Sequence, residues 1–451
     1  MNDIQKVYFI GIGGIGMSAL ARYFNGRNVA VFGYDKTETT LTKKLVEEGM
    51  EIHYQDDISQ IPEGIDLVIY TPAIPADHGE LNHFRKHDFP TKKRAEVLGM
   101  ISQAQRTIAV AGTHGKTTTT SILTHMLRTG EVDCTAFLGG IANNFSSNFV
   151  EGKSDWVVVE ADEYDRSFLH LHPEITVILS MDADHLDIYG GDEAVKQGFR
   201  IFGSQTKKNG KLLVNQKWIT EYLKNNDVQE KVKTYGLESG DYYATNIKVV
   251  DGYFVFDFKS KMSDIANLQI NLPGHHNIEN ATAAITVALA LGVSVDAIRR
   301  SLVSFKGIRR RFEIIYRDEK VVYIDDYAHH PSELAAAIHA ARTLFPQKRI
   351  TGVFQPHLFS RTRDFLPAFA EVLDTLDEVI LLDIYPAREL PIAGITSEAI
   401  YKLINNDTKM LTTKQELLDL LATRNLEVLM TLGAGDIDTL VAPIKKQLVH
   451  G

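Results

Sequence analysis

A three-domain α/β architecture follows from three features of the 451-residue sequence. Apolar strands alternate with helical segments near the start of the chain and again near its end. Two separate glycine-rich turns each join an apolar strand to a helical pattern. A more polar stretch with alternating strands then lies ahead of the final α/β run. Strands that alternate with helices pair in parallel through right-handed crossovers. The chain is also too long to be organised around one core.

The first domain is read over 1–105. VYFIGIG, VAVFGYD and DLVIYTPAI are strands, and SALARYFN and TLTKKLVEEG are helices. The first strand runs into Gly11, Gly13, Gly14, Ile15 and Gly16, and Asp35 closes the second strand 19 residues beyond Gly16. This is the fingerprint of a Rossmann-like domain, whose loop brings backbone N–H groups and a helix N-terminus up to a diphosphate. Taken alone it fits a nicotinamide-dependent oxidoreductase. TKKRAEVLGMISQAQR, residues 91–106, is predicted to be a helix leading into the next domain.

The second domain is read over 106–305. Its strand TIAVAG opens into Gly112, Thr113, His114, Gly115, Lys116, Thr117 and Thr118 at the start of a helix. This is a P-loop turn of the ATPase type: the glycines admit phosphate, Lys116 reaches the outer phosphates and the Thr117 hydroxyl ligates Mg²⁺. Val110 stands where the full pattern has its first glycine. Mg²⁺ asks for carboxylates on a neighbouring strand. WVVVEADEYD supplies Glu160, Asp162, Glu163 and Asp165, and MDADHLD supplies Asp182, Asp184, His185 and Asp187. KLLVN and GYFVFDF, within 207–259, extend the domain as a mixed sheet, and NIENATAAITVALALGV is an apolar helix.

The third domain is read over 306–451. VVYIDDYAHHP, RITGVFQPH, EVILLDIYP and EVLMTLGAGD are four strands with helices between them, a second Rossmann-like unit. Ligands on such sheets gather at the carboxyl ends of the strands, where these polar clusters lie.

Composition narrows the class. A net charge of −10 argues against nucleic acid as a partner. The clusters KKR (Lys92, Lys93, Arg94) and RRR (Arg309 to Arg311) still need an account of their own. The single cysteine, Cys134, excludes an internal disulfide and makes a cysteine-ligated zinc site implausible. The N-terminal MNDIQKVYFI has no signal pattern, and no apolar run reaches the length of a membrane span, so a cytoplasmic enzyme without a membrane partner is expected.

GTHGKTTTT, EADEYDRSFL, DADHLDIYGG, PGHHNIENA, RRF, DDYAHHPSE, QPHLFSRT and GAGD stand in the order found in the Mur ligases. The chain resembles that family over nearly its whole length. The resemblance implies that the first glycine loop holds the diphosphate of a UDP-sugar rather than a nicotinamide. It implies ATP-dependent joining of L-alanine to the lactyl carboxylate of UDP-N-acetylmuramate through an acyl phosphate, in peptidoglycan precursor synthesis. A recycling ligase that attaches a tripeptide to the same UDP-sugar is the alternative. Monomer and homodimer both stay open.

The implied site residues follow by position. Gly11, Gly13, Gly14, Ile15, Gly16, Asp35, Thr71, Ala73 and Ile74 would face the UDP-sugar. Gly112 to Thr118 would hold ATP, with Thr117, Glu160 and His185 on Mg²⁺. His276, Asn277 and Asn280 would lie on the adenine side. Arg311 and Asp326 would meet ATP, and Tyr327, His329 and Arg361 would take the amino acid. Lys116, Arg311, Asp326, His329 and Arg361 form the catalytic set, with His329 or Asp326 accepting the amine proton. Arg309 and Arg310 read as solvated charge, and His330 as structural. Departures from the family pattern are Leu358 in place of an arginine, Tyr34 before Asp35, and HYQDD after the second strand.

Overall fold

The computed structural model describes residues 4–182, 186–224, 232–250, 253–387 and 389–450, without the side chains of 186, 187 and 450. The described residues form three sheets.

The first sheet is parallel throughout, in the order Glu51–His53, Ala30–Tyr34, Lys6–Ile10, Leu67–Tyr70, Thr91–Lys93. Its last strand corrects the sequence reading. The helix expected from residue 91 begins only at Arg94 and runs to Ala104, because Thr91 to Lys93 pair beside Val68 to Tyr70 as an edge strand. A three-residue edge strand of uniform half-burial has too little alternation to show its period.

Among the described residues the central sheet has ten strands. Arg106–Ala111 lies between Ile175–Ile178 and Trp156–Ala161 and is parallel to both. Register sets Val110 beside Glu160, and Ala111 beside both Ala161 and Ile178, so the P-loop strand and the acidic strand end together. The helix Lys116–Thr129 packs with the alanine-rich helix His275–Ala290.

The third sheet runs Glu313–Arg317, Val322–Asp326, Val428–Leu432, Ile350–Phe354, Glu378–Leu381, Lys409–Leu411. The four anticipated strands are all present and parallel, and Glu313–Arg317 adds an antiparallel edge. The edge strands Glu313–Arg317 and Lys409–Leu411 escape prediction because both are half-exposed and short.

The chain divides into two compact units. One is Met1–Ile247 with Val255–Ile270 and His275–Lys306; the other is Lys248–Phe254 with Asn271–Gly274 and Gly307–Gly451. The first and central sheets share the first unit because they share a core. Val7, Phe9 and Leu20 belong to the same buried cluster as Ala109, Phe137 and Val159. Tyr23 bridges them, its ring 5.4 Å from that of Phe137 and edge-on to Phe149. Among the described residues no helix is long and apolar enough to cross a membrane.

Candidate active site

The first glycine loop is ordered by its own side chains. Gly11 has φ +85°, and both its N–H and that of Ile12 donate to the carbonyl of Tyr34. Asp35 Oδ2 accepts the Gly13 N–H at 2.7 Å, and its Oδ1 accepts from Thr37 N. The Gly13 N–H, expected to face a diphosphate, is therefore taken by Asp35. The helix begins at Ile15, with Gly14 as its N-cap. Its first-turn N–H groups, which an α-helix leaves without partners, form the open part of the cradle. Thr71 and Ile74 come to this loop as expected: a Cβ on Gly11 would fall 2.9 Å from Thr71 Cγ2 and 3.3 Å from Ile74 Cδ1. Ala73 is exposed beside them.

Tyr34 and HYQDD, the departures noted in the sequence, build a buried polar corner. Tyr8 Oη sits 2.6 Å from His53 Nε2 and donates to Glu80 at 2.7 Å. The Tyr34 ring meets that of His78 edge-on at 4.6 Å. Burial raises the Glu80 carboxyl, and the Tyr8 hydrogen bond partly offsets this.

The second loop has the predicted strand–turn–helix form. Gly115 has φ +81° and is the N-cap of Lys116–Thr129. A side chain there would meet Asn280 Oδ1 at 2.5 Å, so Asn280 from the second helix closes over the loop. Asn280 in turn donates to Asn277 Oδ1, which places two of the three adenine-side candidates together. His276 is exposed in the first turn of the same helix. The His114 N–H donates to Ser180 Oγ, and Thr113 Oγ1 donates to the Asp182 carbonyl. Thr117 and Thr118 are half-buried on the helix's first turn.

Lys116 Nζ donates to the Gly112 carbonyl at 2.7 Å and to both oxygens of Glu163, at 2.9 and 2.7 Å. Glu163 was one carboxylate among four in the sequence and gave no sign of being the lysine's partner. The other three are also separated. Glu160 accepts from Gly139 N at 3.0 Å, Asp162 pairs with Arg94, and Asp165 pairs with Lys93. Among the described residues no group of three or more His, Cys, Asp or Glu converges to hold a metal. His185 and Asp184 lie outside the described residues, as does the Asp187 side chain.

In the other unit, the strand end Asp325–Asp326 anchors the RRR segment. Arg310 is not solvated charge, contrary to the sequence reading. Its guanidinium donates to Asp325 Oδ2 and to the carbonyls of Gly433 and Gly435. The segment has non-helical positive φ at Arg310 (+60°) and Phe312 (+44°), a strained path that places exposed Arg311 within 5.9 Å of the Tyr327 ring. Asp326 holds this path: its oxygens accept the N–H groups of Phe312 at 2.6 Å and Ala328 at 2.7 Å. Burial lifts its carboxyl to about 6, against the pull of Arg311. Asp326 is thus committed to backbone donors and organises this loop.

His329 Nδ1 lies 2.9 Å from the Tyr327 carbonyl and 3.3 Å from Glu333. Those acceptors select the Nδ1–H tautomer and leave Nε2 with its lone pair. Burial holds His329 below its ordinary value, so the ring is neutral near pH 7. Glu333 also accepts the N–H groups of His329 and His330 at the N-terminus of helix Pro331–Leu344, where His330 is the N-cap.

The sequence assigned no role to His357 of QPHLFSRT, yet it lies in this cluster. Its ring stacks on Tyr385 and is 6.0 Å from that of His329. Its Nδ1 is buried without a hydrogen-bond partner, and burial lowers its pKa to about 4, with His329 and Arg361 adding to the shift. Leu358, which follows it, has φ +72°, a costly conformation for a leucine that turns the chain into the helix carrying Arg361. Gln355 of the same motif locks the GAGD turn, donating to Asp436 and accepting from Ile437 N.

Three family models cover the chain. "Mur ligase family, catalytic domain" matches residues 6–106, "Mur ligase middle domain" matches 110–288, and "Mur ligase, glutamate ligase domain" matches 310–435. Enzymes named UDP-N-acetylmuramate–L-alanine ligase from Porphyromonas gingivalis and Flavobacterium psychrophilum are 48% and 49% identical, each over 99% of both chains. A crystal structure of UDP-N-acetylmuramate-alanine ligase from Thermotoga maritima superposes with a TM-score of 0.84 at 27% identity, covering 99% of both chains. A murein peptide ligase from Psychrobacter arcticus shares the fold at TM-score 0.70 and 22% identity, over 98% of both chains.

Proposed function

Because the chain belongs to the Mur ligase family, we propose that it joins L-alanine to the lactyl carboxylate of UDP-N-acetylmuramate with cleavage of ATP to ADP and phosphate. The observation that carries this reading is near-complete coverage at 48–49% identity by enzymes named for that reaction. The two phosphate cradles in one chain then have distinct tasks, one for a UDP-sugar and one for ATP. A nicotinamide reading accounts for the first loop alone.

A carboxylate does not acylate an amine, because its oxygen is a poor leaving group. The lactyl carboxylate oxygen attacks the γ-phosphorus, the bond to the bridging oxygen breaks, and ADP leaves. The amine nitrogen of L-alanine then attacks the acyl carbon; the tetrahedral intermediate expels phosphate, and the amine gives up a proton. The first step asks mainly for alignment and charge neutralisation. Lys116, now on Glu163, would turn to the transferring phosphate, and Asn280 would hold the loop closed around it.

Thr117 and Glu160 would hold Mg²⁺, with His185 as the third candidate. A hydroxyl and a carboxylate on adjacent elements are the hard oxygen donors this ion takes, and Gly139, where a Cβ would lie 2.2 Å from Glu160 Oε2, makes room for that carboxylate. When bound, the ion supplies positive charge to the phosphates.

For the second step, Arg361 would take the alanine carboxylate and His329 Nε2 the amine proton, with Glu333 and the Tyr327 carbonyl fixing the ring. Domain limits of 1–105, 106–305 and 306–451 fit this division of labour. A cytoplasmic location, where ATP is available, fits this reaction.

The test is phosphate release under omission. The reading expects release with ATP, UDP-N-acetylmuramate and L-alanine together and background when any one is left out. Release from ATP alone would contradict it.

A further inference from the structure

The basic cluster KKR belongs to neither glycine loop in the sequence, and the structure shows what two of its residues meet. Lys93 and Arg94 stand where the first sheet gives way to the helix Arg94–Ala104, and both reach the acidic strand end of the central domain. Their settings differ. Lys93 makes a 2.9 Å bond to Asp165. Arg94 lies along Gly16, in the first turn of helix Ile15–Asn25. A Cβ on Gly16 would fall 2.7 Å from Arg94 Nη1 and 2.9 Å from its Cδ.

That position is unfavourable for a cation by itself. A helix N-terminus carries partial positive charge and repels a guanidinium. Among the described residues the only ion pair of Arg94 is to Asp162, through Nη2 at 3.5 Å. Arg22, on the same helix, shows what a satisfied arginine looks like here: two bonds to Glu48 at 2.7 and 2.8 Å and a third to Asn148. A half-buried guanidinium beside the first turn of a helix, with one long contact to a carboxylate, has donors to offer an anion at that helix end.

We propose that Arg94 is a diphosphate-binding residue of the first cradle, and that it exchanges Asp162 for the UDP diphosphate when the UDP-sugar binds. The inference rests on the reading that this cradle holds a UDP-sugar. It explains Gly16 as the glycine that lets the guanidinium lie on the helix. It also couples the two cradles: Asp162 adjoins Glu163, the partner of Lys116, so diphosphate binding removes a positive charge from the acidic strand beside the ATP loop.

Calorimetric titration of UDP and of uridine into wild-type, Arg94→Gln, Arg94→Lys and Asp162→Asn proteins tests this. Arg94→Gln should weaken UDP about 10-fold or more while leaving uridine unchanged, because the lost contact is to phosphate. Arg94→Lys should fall between, keeping charge without the fork. Asp162→Asn should bind UDP more tightly, since it removes the competitor. If Arg94 serves only to join the domains, Arg94→Gln and Asp162→Asn will lose thermal stability together and neither will separate UDP from uridine. That result, or unchanged UDP affinity in Arg94→Gln, overturns the assignment alone. Wild-type protein that binds neither probe overturns the UDP-sugar reading and this assignment with it.

Discussion

Lys116 Nζ lies 2.7 Å from Glu163 Oε2, in an ion pair whose side chains are 13% and 2% exposed. The lysine of the second glycine loop is thus held by a buried carboxylate from the neighbouring strand end. Replacing Lys116 with Met should lower kcat by about 100-fold or more, because it removes the charge proposed to act on the transferring phosphate. UDP binding should be unchanged. Glu163→Gln leaves the ammonium with carbonyls alone and should cost about 3 kcal/mol of stability, the scale for breaking a buried pair from one side. Urea unfolding beside phosphate-release kinetics checks both. Equal loss of UDP and ATP binding in Lys116→Met would contradict the separation of the cradles.

Gly115→Ala should abolish tight ATP binding. The residue has φ +81°, and its new methyl would sit 2.5 Å from Asn280 Oδ1. The backbone and the packing oppose it together, at roughly 1–3 kcal/mol for the strained backbone alone. Nucleotide titration against a folded control by circular dichroism measures it. Wild-type ATP affinity in this variant would show that the loop lies elsewhere in the bound state.

The pair Arg309 and Arg310 gives a sharp contrast. Arg309 is exposed, and Arg309→Ala should change stability by less than about 0.5 kcal/mol. Arg310 joins Asp325 to the Gly433–Gly435 turn, and Arg310→Ala leaves Asp325 buried without its cation, a loss of about 3 kcal/mol. Equal unfolding midpoints for the two variants would refute the buried role.

These three cases show what was legible in the sequence. The sheets, the two loops and the polar strand ends follow from local pattern, because strand period and glycine-rich turns are written in neighbouring residues. Lys116 with Glu163, Arg310 with Asp325 and Gly433, and His329 with His357 join residues far apart in the chain, so no local pattern announces them. A run of three arginines looks alike whether it faces water or a buried carboxylate. Thr91 to Lys93 reads as helix because a three-residue, uniformly half-buried edge strand shows no alternation.

Acid should affect rate and stability through the histidines. His329 is held below its ordinary value of about 6.5, so the rate should fall as pH drops beneath that value and the Nε2 lone pair is lost. His357, lowered to about 4, is neutral when folded over a range in which the unfolded chain takes up a proton. Its contribution to stability is therefore full above about 6.5 and is lost as pH falls toward 4. Asp326 has the opposite sign. Raised to about 6, it keeps a proton that the unfolded chain releases near 4, so its contribution is full at low pH and is lost as pH rises through 6. His357→Asn should flatten the acid side of the stability curve between 6.5 and 4. An unchanged slope would show that His357 titrates normally.

The identity of the joined amino acid separates the two Mur ligase readings. The decisive measurement is the mass of the UDP-linked product when L-alanine and the tripeptide L-alanyl-γ-D-glutamyl-meso-diaminopimelate are offered together with ATP and UDP-N-acetylmuramate. The product should be heavier by one alanyl residue, with phosphate released in equal amount. A product carrying only the tripeptide would contradict it and make the chain a recycling ligase.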